Sequence, residues 1–122
     1  MSKLLKVTLL VHIVLAVGLG LPLLAAPGRF LGWLGWAPVD PLISRMFGAA
    51  LLGLGWLDFR TLRSNSRQAA QGVIEAGIIF CGLAALGMLR NMGGSSWPWF
   101  VWTVLAVYAA LAGLWAANWL KK

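Results

Sequence analysis

The sequence predicts an all-α fold in which four membrane-spanning helices form a bundle, with both termini cytoplasmic and a short interfacial segment between the first two helices. Hydrophobic residues make up 61% of the 122 positions, and the mean hydropathy is +0.84. Both values exceed those of soluble domains, which need more polar side chains to cover their surface. Formal charges gather near the ends of four long apolar runs, as in multi-pass membrane proteins. We expect one domain, residues 1–122.

The first span is predicted over residues 3–25. No formal charge lies between Lys6 and Arg29, and this run is long enough to cross about 30 Å of hydrocarbon. The Pro27-Gly28 pair predicts the end of the helix. A basic start followed by an apolar run also resembles the first two regions of a signal peptide. The run is longer than a signal peptide requires, so we predict a retained helix, and a cleaved signal is the alternative.

The next segment, residues 29–39, is too short to cross a membrane. Phe30, Trp33 and Trp36 recur at every third position, which places them on one face of a short helix or 3₁₀ turn. Because Trp is enriched where the bilayer meets water, we expect this segment to lie flat in the interface. A lid over a lipid-accessible pocket is the alternative.

The second span is predicted over residues 41–62, with Asp40 as its N-cap and Pro41 at its first helical position. Arg45 and Asp58 leave a short uncharged run between them, whose length alone fits a re-entrant helix. The helix crosses the membrane if Arg45 extends to one interface and Asp58 lies near the other. We expect this arrangement because it keeps the charge distribution consistent.

The third span is predicted over residues 67–90, after a basic loop in which Ser64, Asn65 or Ser66 can act as the cap. The fourth span, residues 97–119, carries no formal charge before the basic C-terminus. Tryptophans lie at both of its ends, as interface anchors do; they are Trp97, Trp99, Trp102, Trp115 and Trp119.

The basic residues near the ends of the spans predict the orientation. With the amino terminus inside, the cytoplasmic side holds most of them, namely Lys3, Lys6, Arg60, Arg63, Arg67, Lys121 and Lys122. Arg29, Arg45 and Arg90 lie on the other side. We therefore expect both termini in the cytoplasm, with the protein in a bacterial plasma membrane.

The composition also argues against several function classes. The net charge of +7 does not indicate nucleic-acid binding, because the basic residues form no continuous face. Cys81 is the one cysteine, so no internal disulfide or cysteine metal cluster is expected. No catalytic triad order, HExxH motif, paired carboxylates or phosphate-binding loop occurs. We predict no enzyme activity, no catalytic residue and no metal site.

Glu75 is the one acid within the third span, and His12 lies near the middle of the first. Each is a similar distance from the cytoplasmic end of its helix, about 12 Å for Glu75 and 14 Å for His12. We expect the two to form a buried polar pair, because each reduces the other's cost of burial. Three roles stay open, namely a hydrogen bond that fixes helix register, proton exchange by Glu75, or contact of Glu75 with another subunit.

Other residues suggest binding or packing. Arg45 and Arg90 are candidates for a shared headgroup or anion site, although extension of Arg45 to the interface explains it equally. Ala109, Gly113 and Ala117 form a small-residue stripe that faces either the bundle interior or a partner. His12 could ligate a haem or chlorophyll-type pigment, but a bis-histidine haem needs a second histidine, which this chain lacks. We predict no cofactor.

The segment PLISRMFGAALLGLG, residues 41–55, combines a proline, an arginine and a Gly/Ala-rich helix. It resembles the second helix of small bacterial four-span proteins of unknown function, the DUF4345-like set. The resemblance extends over the second to fourth spans. That resemblance implies a compact four-helix membrane unit and no activity. Size and span count are also similar to small multidrug resistance transporters. Those proteins carry their membrane glutamate on the first helix, whereas here Glu75 is on the third.

These observations predict a non-catalytic accessory or scaffolding subunit. We expect it to pack onto a larger membrane protein assembly, or onto copies of itself, through small-residue stripes and Trp-rich surfaces, and to contact membrane lipids. The alternative is a small proton-coupled transporter or lipid-binding protein that uses Glu75.

Overall fold

The computed structural model describes residues 1–36, 40–94 and 96–121. Within these ranges the chain is entirely helical, without β-strands. The helices are α1 (Lys3–Ala25), α2 (Pro27–Trp33), α3 (Pro41–Ser64), α4 (Arg67–Met92) and α5 (Trp99–Leu120). The prediction of an all-α fold is thus confirmed.

Four of these helices are long and apolar enough to cross a membrane, namely α1, α3, α4 and α5. Their lengths of 22 to 26 residues correspond to about 33–39 Å, which exceeds the hydrocarbon thickness of about 30 Å. These are the dimensions of a multi-pass membrane protein. Helix α1 covers residues 3–25, the range expected for the first span. The later helices differ by one or two residues from the expected ranges 41–62, 67–90 and 97–119.

Side-chain caps fix where three of the four long helices, α1, α3 and α4, begin. Ser2 Oγ accepts from the Leu5 N–H, and Asp40 Oδ1 accepts from the Leu42 N–H at 2.8 Å. Ser66 Oγ caps α4 by accepting from the N–H three residues later. These bonds satisfy amide groups that a helix leaves without partners in its first turn. Asn65, with φ of 51°, adopts the left-handed conformation that ends α3.

The segment between α1 and α3 contains the short helix α2. Pro27 begins it, because proline suits the first turn, where its missing N–H is not needed. Trp33 is 79% exposed, whereas Leu31 is buried against the rest of the chain. Gly35, with φ of +76°, turns the chain after α2. The prediction for residues 37–39 lies outside the described residues.

The long helices pack as two close pairs, α1 with α3 and α4 with α5. Glycines set the first pair, since a Cβ at Gly48 would lie 2.7 Å from the Gly20 carbonyl oxygen. Helix α1 also joins α4 and α5 in a common apolar core, which contains Leu5, Leu9, Ala70, Ile74, Cys81, Tyr108, Leu111 and Trp115. The small-residue contacts that let membrane helices approach closely are therefore concentrated between α1 and α3.

The predicted packing stripe on α5 lies on its outer face. Ala109 and Gly113 are exposed and Ala117 is half-buried, and a Cβ at Gly113 would meet nothing within 4 Å. The inner face of α5 carries larger side chains, including Tyr108 and Trp115. Of the two orientations left open by the sequence, the stripe therefore faces outward.

Candidate functional site

The polar centre of the molecule is a pair formed by His12 of α1 and Asp58 of α3. His12 Nδ1 lies 2.5 Å from Asp58 Oδ2, and the two residues are only 4% and 2% exposed. The pair lies well inside both helices, about 14 Å from Lys3 for His12 and about 9 Å from Ser64 for Asp58. A buried histidine–carboxylate contact of this kind holds two helices in one register.

The sequence of α3 explains why Asp58 reaches His12. The buried face of α3 repeats at three- or four-residue spacing and consists of Ser44, Gly48, Leu51, Gly55, Asp58 and Thr61. Gly48 and Gly55 bring the α3 backbone close to α1, where a Cβ at Gly55 would lie 3.1 Å from Ala16 Cβ. At such an approach a short aspartate side chain spans the gap to the imidazole.

The predicted pairing of His12 with Glu75 is wrong. Glu75 is exposed on the outer face of α4, where its Oε1 accepts a hydrogen bond of 2.8 Å from Gln71 Nε2. The two residues are similar in height along their helices, but the rotation of α4 directs Ala70, Ile74 and Gly77 inward instead. Asp58, which the sequence placed near an interface, takes the position beside His12.

Trp115 of α5 covers the other side of the pair. Its indole meets the His12 ring edge to face, with centroids 5.7 Å apart. The indole packs directly on α4 at Gly77, where an added Cβ would lie 2.6 Å from ring atoms of Trp115. Gly77 therefore creates the space that this large, fully buried side chain occupies.

A second polar cluster lies nearer the chain termini. Asn118 Nδ2 donates to Thr8 Oγ1 at 2.9 Å, which links α5 to α1. Arg67 Nη2 donates to the backbone oxygen of Asn118 at 2.6 Å, which links the start of α4 to the end of α5. Three helices are thus joined by hydrogen bonds at the same end of the molecule.

Arg45, one of the two residues of the predicted headgroup or anion site, contacts the end of α1. Its Nη1 donates to the Leu24 and Ala25 carbonyl oxygens, at 2.8 and 3.4 Å. These belong to the last turn of α1, where carbonyl groups have no partner within the helix and the helix dipole favours a cation. Arg90 is exposed in the last turn of α4. Arg45 thus caps α1 from α3, and a headgroup or anion site shared with Arg90 stays a prediction.

Two apolar cavities both include His12 in their lining. One, of about 110 Å³, lies among α1, α3 and α5 and includes Leu15, Leu51, Phe100 and Tyr108 in its lining. The other, of about 210 Å³, lies between α3 and α4 and includes Asp58 and Gly72. His12 lines both cavities, whereas Asp58 lines only the second.

The part of the chain that the structure describes has no group of three or more His, Cys, Asp or Glu side chains able to hold a metal ion. Cys81 is buried and unpaired. Of the two His12 ring nitrogens, Nδ1 contacts Asp58, and Nε2 is buried without a hydrogen-bond partner among the described residues. The absence of a cofactor stays a prediction.

The chain matches no protein-family model, and comparison with curated proteins and solved structures also gave no match. The resemblance to DUF4345-like proteins therefore stays a prediction.

Sequence reasoning missed the roles of Asp58, Asn118 and Thr8. Asp58 is followed closely by Arg60 and Arg63, which suggested a position near the interface. The stripe of small residues that contains Gly48 and Gly55 continues to Asp58, and this spacing was the signal for its inward direction. Thr8 and Asn118 offered no comparable signal, because single polar residues near helix ends are common.

Proposed function

We propose that the protein is a four-helix membrane bundle that serves as an accessory subunit of a larger membrane protein assembly. Both termini face the cytoplasm of a bacterial cell, as the distribution of basic residues favours. The outer face of α4 around Glu75 forms the docking surface. The observation that carries this proposal is the exposure of Glu75 on a helix long and apolar enough to span the bilayer.

An acid on the outer face of such a helix is costly in lipid. Acidic residues within spans usually face a protein interior or a water-filled cavity, where a partner compensates them. Gln71 supplies one hydrogen bond to Glu75, which leaves further acceptor capacity on the carboxylate. A basic, amide or hydroxyl side chain of a neighbouring protein at the same depth would use that capacity.

The surroundings of Glu75 favour close contact with another helix. Gly72 and Ala76 are exposed beside it, and Cβ atoms would find open space at Gly72. Small residues let membrane helices approach, so that polar side chains on both can bond. The outward stripe of Ala109 and Gly113 on α5 offers a second contact of the same kind.

Co-purification in mild detergent tests this proposal, with native mass spectrometry as the measurement. The wild-type chain should carry a partner beyond its own 13.1 kDa. A Glu75→Lys variant should lose that partner, because the charge at the contact is reversed, and Glu75→Gln should retain part of it. Val11→Lys is the matched control, since Val11 is 39% exposed on α1 at a similar distance from its helix start.

A wild-type protein that purifies only as a lone chain contradicts the docking proposal. Equal retention of the partner by wild type and Glu75→Lys also contradicts it. Loss of the partner in both lysine variants would show that membrane insertion, and not the α4 contact, was disturbed.

The second candidate function is a small proton-coupled transporter or lipid-binding protein. The cavities beside His12 and Asp58 favour lipid binding over proton exchange at Glu75, because they place apolar space next to buried polar groups. Uptake into vesicles driven by a pH gradient tests the transporter, and unchanged uptake in a Glu75→Gln variant argues against a role for Glu75.

A further inference from the structure

Asp58 has one carboxyl oxygen that the protein does not use. Its Oδ2 contacts His12 Nδ1, whereas Oδ1 has no hydrogen-bond partner among residues 1–36, 40–94 and 96–121. The residue is only 2% exposed, so bulk solvent compensates the second oxygen very little. Buried polar side-chain atoms nearly always have a partner in folded proteins. Asp58 Oδ1 is therefore an acceptor that lacks a donor.

This oxygen opens into the cavity between α3 and α4. Within the described part of the chain, a few side-chain polar atoms are both fully enclosed and without a partner, namely His12 Nε2, Trp97 Nε1, Trp115 Nε1 and Asn118 Oδ1. Asp58 Oδ1 also lacks a partner but is not one of these atoms, so it keeps a small accessible surface. Asp58 lines the cavity of about 210 Å³ between α3 and α4, and it does not line the cavity among α1, α3 and α5. The accessible surface of Oδ1 therefore belongs to the α3–α4 cavity.

The walls of this cavity suit a small apolar group. Leu54 of α3 and Phe80 of α4 are among the large side chains that line it, and the rest of the α4 wall is built mainly from small residues, namely Ala69, Gly72, Ala76 and Gly77. Gly72 and Ala76 are exposed, so a molecule dissolved in the membrane can enter beside them. The volume exceeds the roughly 150 Å³ of an engineered cavity that accepts benzene, so it holds an aromatic ring with a short chain.

The charge of the polar pair selects the kind of ligand. A buried pair with a net charge is strongly disfavoured, so in the free protein His12 and Asp58 share one proton and are neutral together. Lysine and arginine are absent from the cavity lining. The other ionisable side chains buried in the surrounding core are Cys81 of α4 and Tyr108 of α5, which are uncharged near neutral pH. A cation beside Oδ1 therefore replaces the shared proton and leaves the site neutral, whereas an anion finds no counter-charge.

We propose that the cavity between α3 and α4 binds the protonated primary amine of a small amphipathic molecule. The ammonium group donates a hydrogen bond to Asp58 Oδ1, and the apolar body packs between Leu54 and Phe80. Binding displaces the shared proton, which leaves His12 neutral with its Nδ1–H donated to Asp58. Hydrogen bonds between an ammonium group and a carboxylate are about twice as strong as neutral ones. The site uses Asp58 and not Glu75, so it does not rest on the docking proposal.

Calorimetric titration of the purified full-length chain in phosphatidylcholine nanodiscs tests the proposal, with empty nanodiscs as the reference. The probes are 2-phenylethylamine and 2-phenylethanol, which are similar in size and differ in charge. We expect the amine to bind at least tenfold more tightly, because only its hydrogen bond to the carboxylate joins two opposite charges. Titrations in two buffers of different ionisation enthalpy should show that close to one proton is released for each amine bound.

A lipid with a primary amine in its headgroup presents the same chemistry as a free amine. The titration is therefore repeated in nanodiscs in which phosphatidylethanolamine replaces half of the phosphatidylcholine. Weaker binding of 2-phenylethylamine there identifies the lipid amine as a competing ligand of the site. Unchanged binding identifies a free amine as the ligand.

Two variants separate the charge of Asp58 from the space beside it. Asp58→Asn keeps the size of the side chain and removes its charge, and it should lose both the tenfold preference and the proton release. Gly72→Leu fills the cavity while the polar pair remains, and it should weaken amine binding at least tenfold. Gly87→Leu is its control, because Gly87 is likewise exposed on α4, has open space around an added Cβ and does not line this cavity.

Equal affinity of the wild type for the two probes would overturn the proposal. Retention of the preference in Asp58→Asn would also overturn it, because the carboxylate would then play no part in binding. If Asp58→Asn does not fold, Gly72→Leu and the proton release decide. Unchanged amine binding in Gly72→Leu, equal weakening in Gly72→Leu and Gly87→Leu, or binding without proton release overturns it.

Discussion

Asp58 Oδ2 lies 2.5 Å from His12 Nδ1, although the two residues are 46 positions apart in the chain. The contact crosses the α1–α3 interface, which glycines bring to close approach. Neither side chain has appreciable access to solvent, so each is the main electrostatic partner of the other. The two side chains are therefore energetically coupled, and removal of one leaves the other buried without its partner.

We predict that Asp58→Leu lowers the free energy of unfolding by about 3 kcal/mol, because it leaves His12 buried without its partner. The double variant His12→Phe, Asp58→Leu should recover much of this loss, since both polar groups are then gone. Reversible unfolding in mixed micelles measures both, and the double-mutant cycle isolates the coupling. A coupling near 0.6 kcal/mol, the average for membrane hydrogen bonds, contradicts a special role for the pair.

Gly77→Ala should destabilise the α4–α5 pair. The new Cβ would lie 2.6 Å from ring atoms of Trp115, a side chain that is fully buried in the core. Overpacking of this kind costs about 1–3 kcal/mol. Gly82→Ala on the same helix is the control, because its Cβ meets nothing within 4 Å and alanine favours the helix. Thermal melts that place both variants on the same side of the wild type would argue against this packing.

Thr8→Val tests the hydrogen bond that joins α1 to α5. The substitution removes the hydroxyl oxygen that accepts the hydrogen bond from Asn118 Nδ2, which should cost about 1 kcal/mol. Asn118 Nδ2 then keeps only its hydrogen bond to Leu114 O. Thr103→Val is matched to it, because Thr8 Oγ1 and Thr103 Oγ1 each donate to a carbonyl oxygen four residues earlier, whereas Thr103 is exposed. Equal unfolding free energies for the two variants would show that the interhelical bond contributes nothing.

Arg45→Leu should loosen the end of α1. The substitution removes the hydrogen bonds to Leu24 O and Ala25 O and a cation near the negative end of the helix dipole, with a loss of about 1 kcal/mol. Hydrogen exchange of the last turn of α1 is the measurement, and it should accelerate. Arg90→Leu, at the end of α4, should leave that exchange unchanged; acceleration by both variants would point to a general effect of charge.

The long helices can be predicted from sequence because hydrocarbon requires long apolar runs and excludes unpaired backbone groups. Asp40 and Ser66 can be predicted as helix starts because their side chains accept hydrogen bonds from N–H groups of the first turn. The pairing of side chains at the site was harder to predict, because the depth of a residue along its helix does not show which way the side chain points around the helix axis. Glu75 and His12 match in depth, yet α4 turns Glu75 outward, whereas the spacing of Gly48, Gly55 and Asp58 shows which face of α3 is inward.

Packing stripes raise the same difficulty. Ala109, Gly113 and Ala117 have the spacing of a contact face, but the bulky side chains of Tyr108 and Trp115 occupy the inner side of α5. Small residues show which face of a helix can approach another helix closely. The residues on the other faces of the helix are needed to show which helix that neighbour is. The outward stripe is therefore a candidate contact for a partner helix and is not part of the internal core.

Site-specific photo-crosslinking in native membranes tests the central claim, that the outer face of α4 around Glu75 docks on a partner protein. A photoreactive phenylalanine at Ile79, which is 61% exposed on that face, is compared with one at Val14, which is 68% exposed on α1. We predict a discrete protein adduct from Ile79 that weakens when Glu75 is replaced by Leu, and lipid adducts alone from Val14. The adduct mass distinguishes a different protein from a second copy of the chain. Lipid adducts alone from both positions would contradict the account.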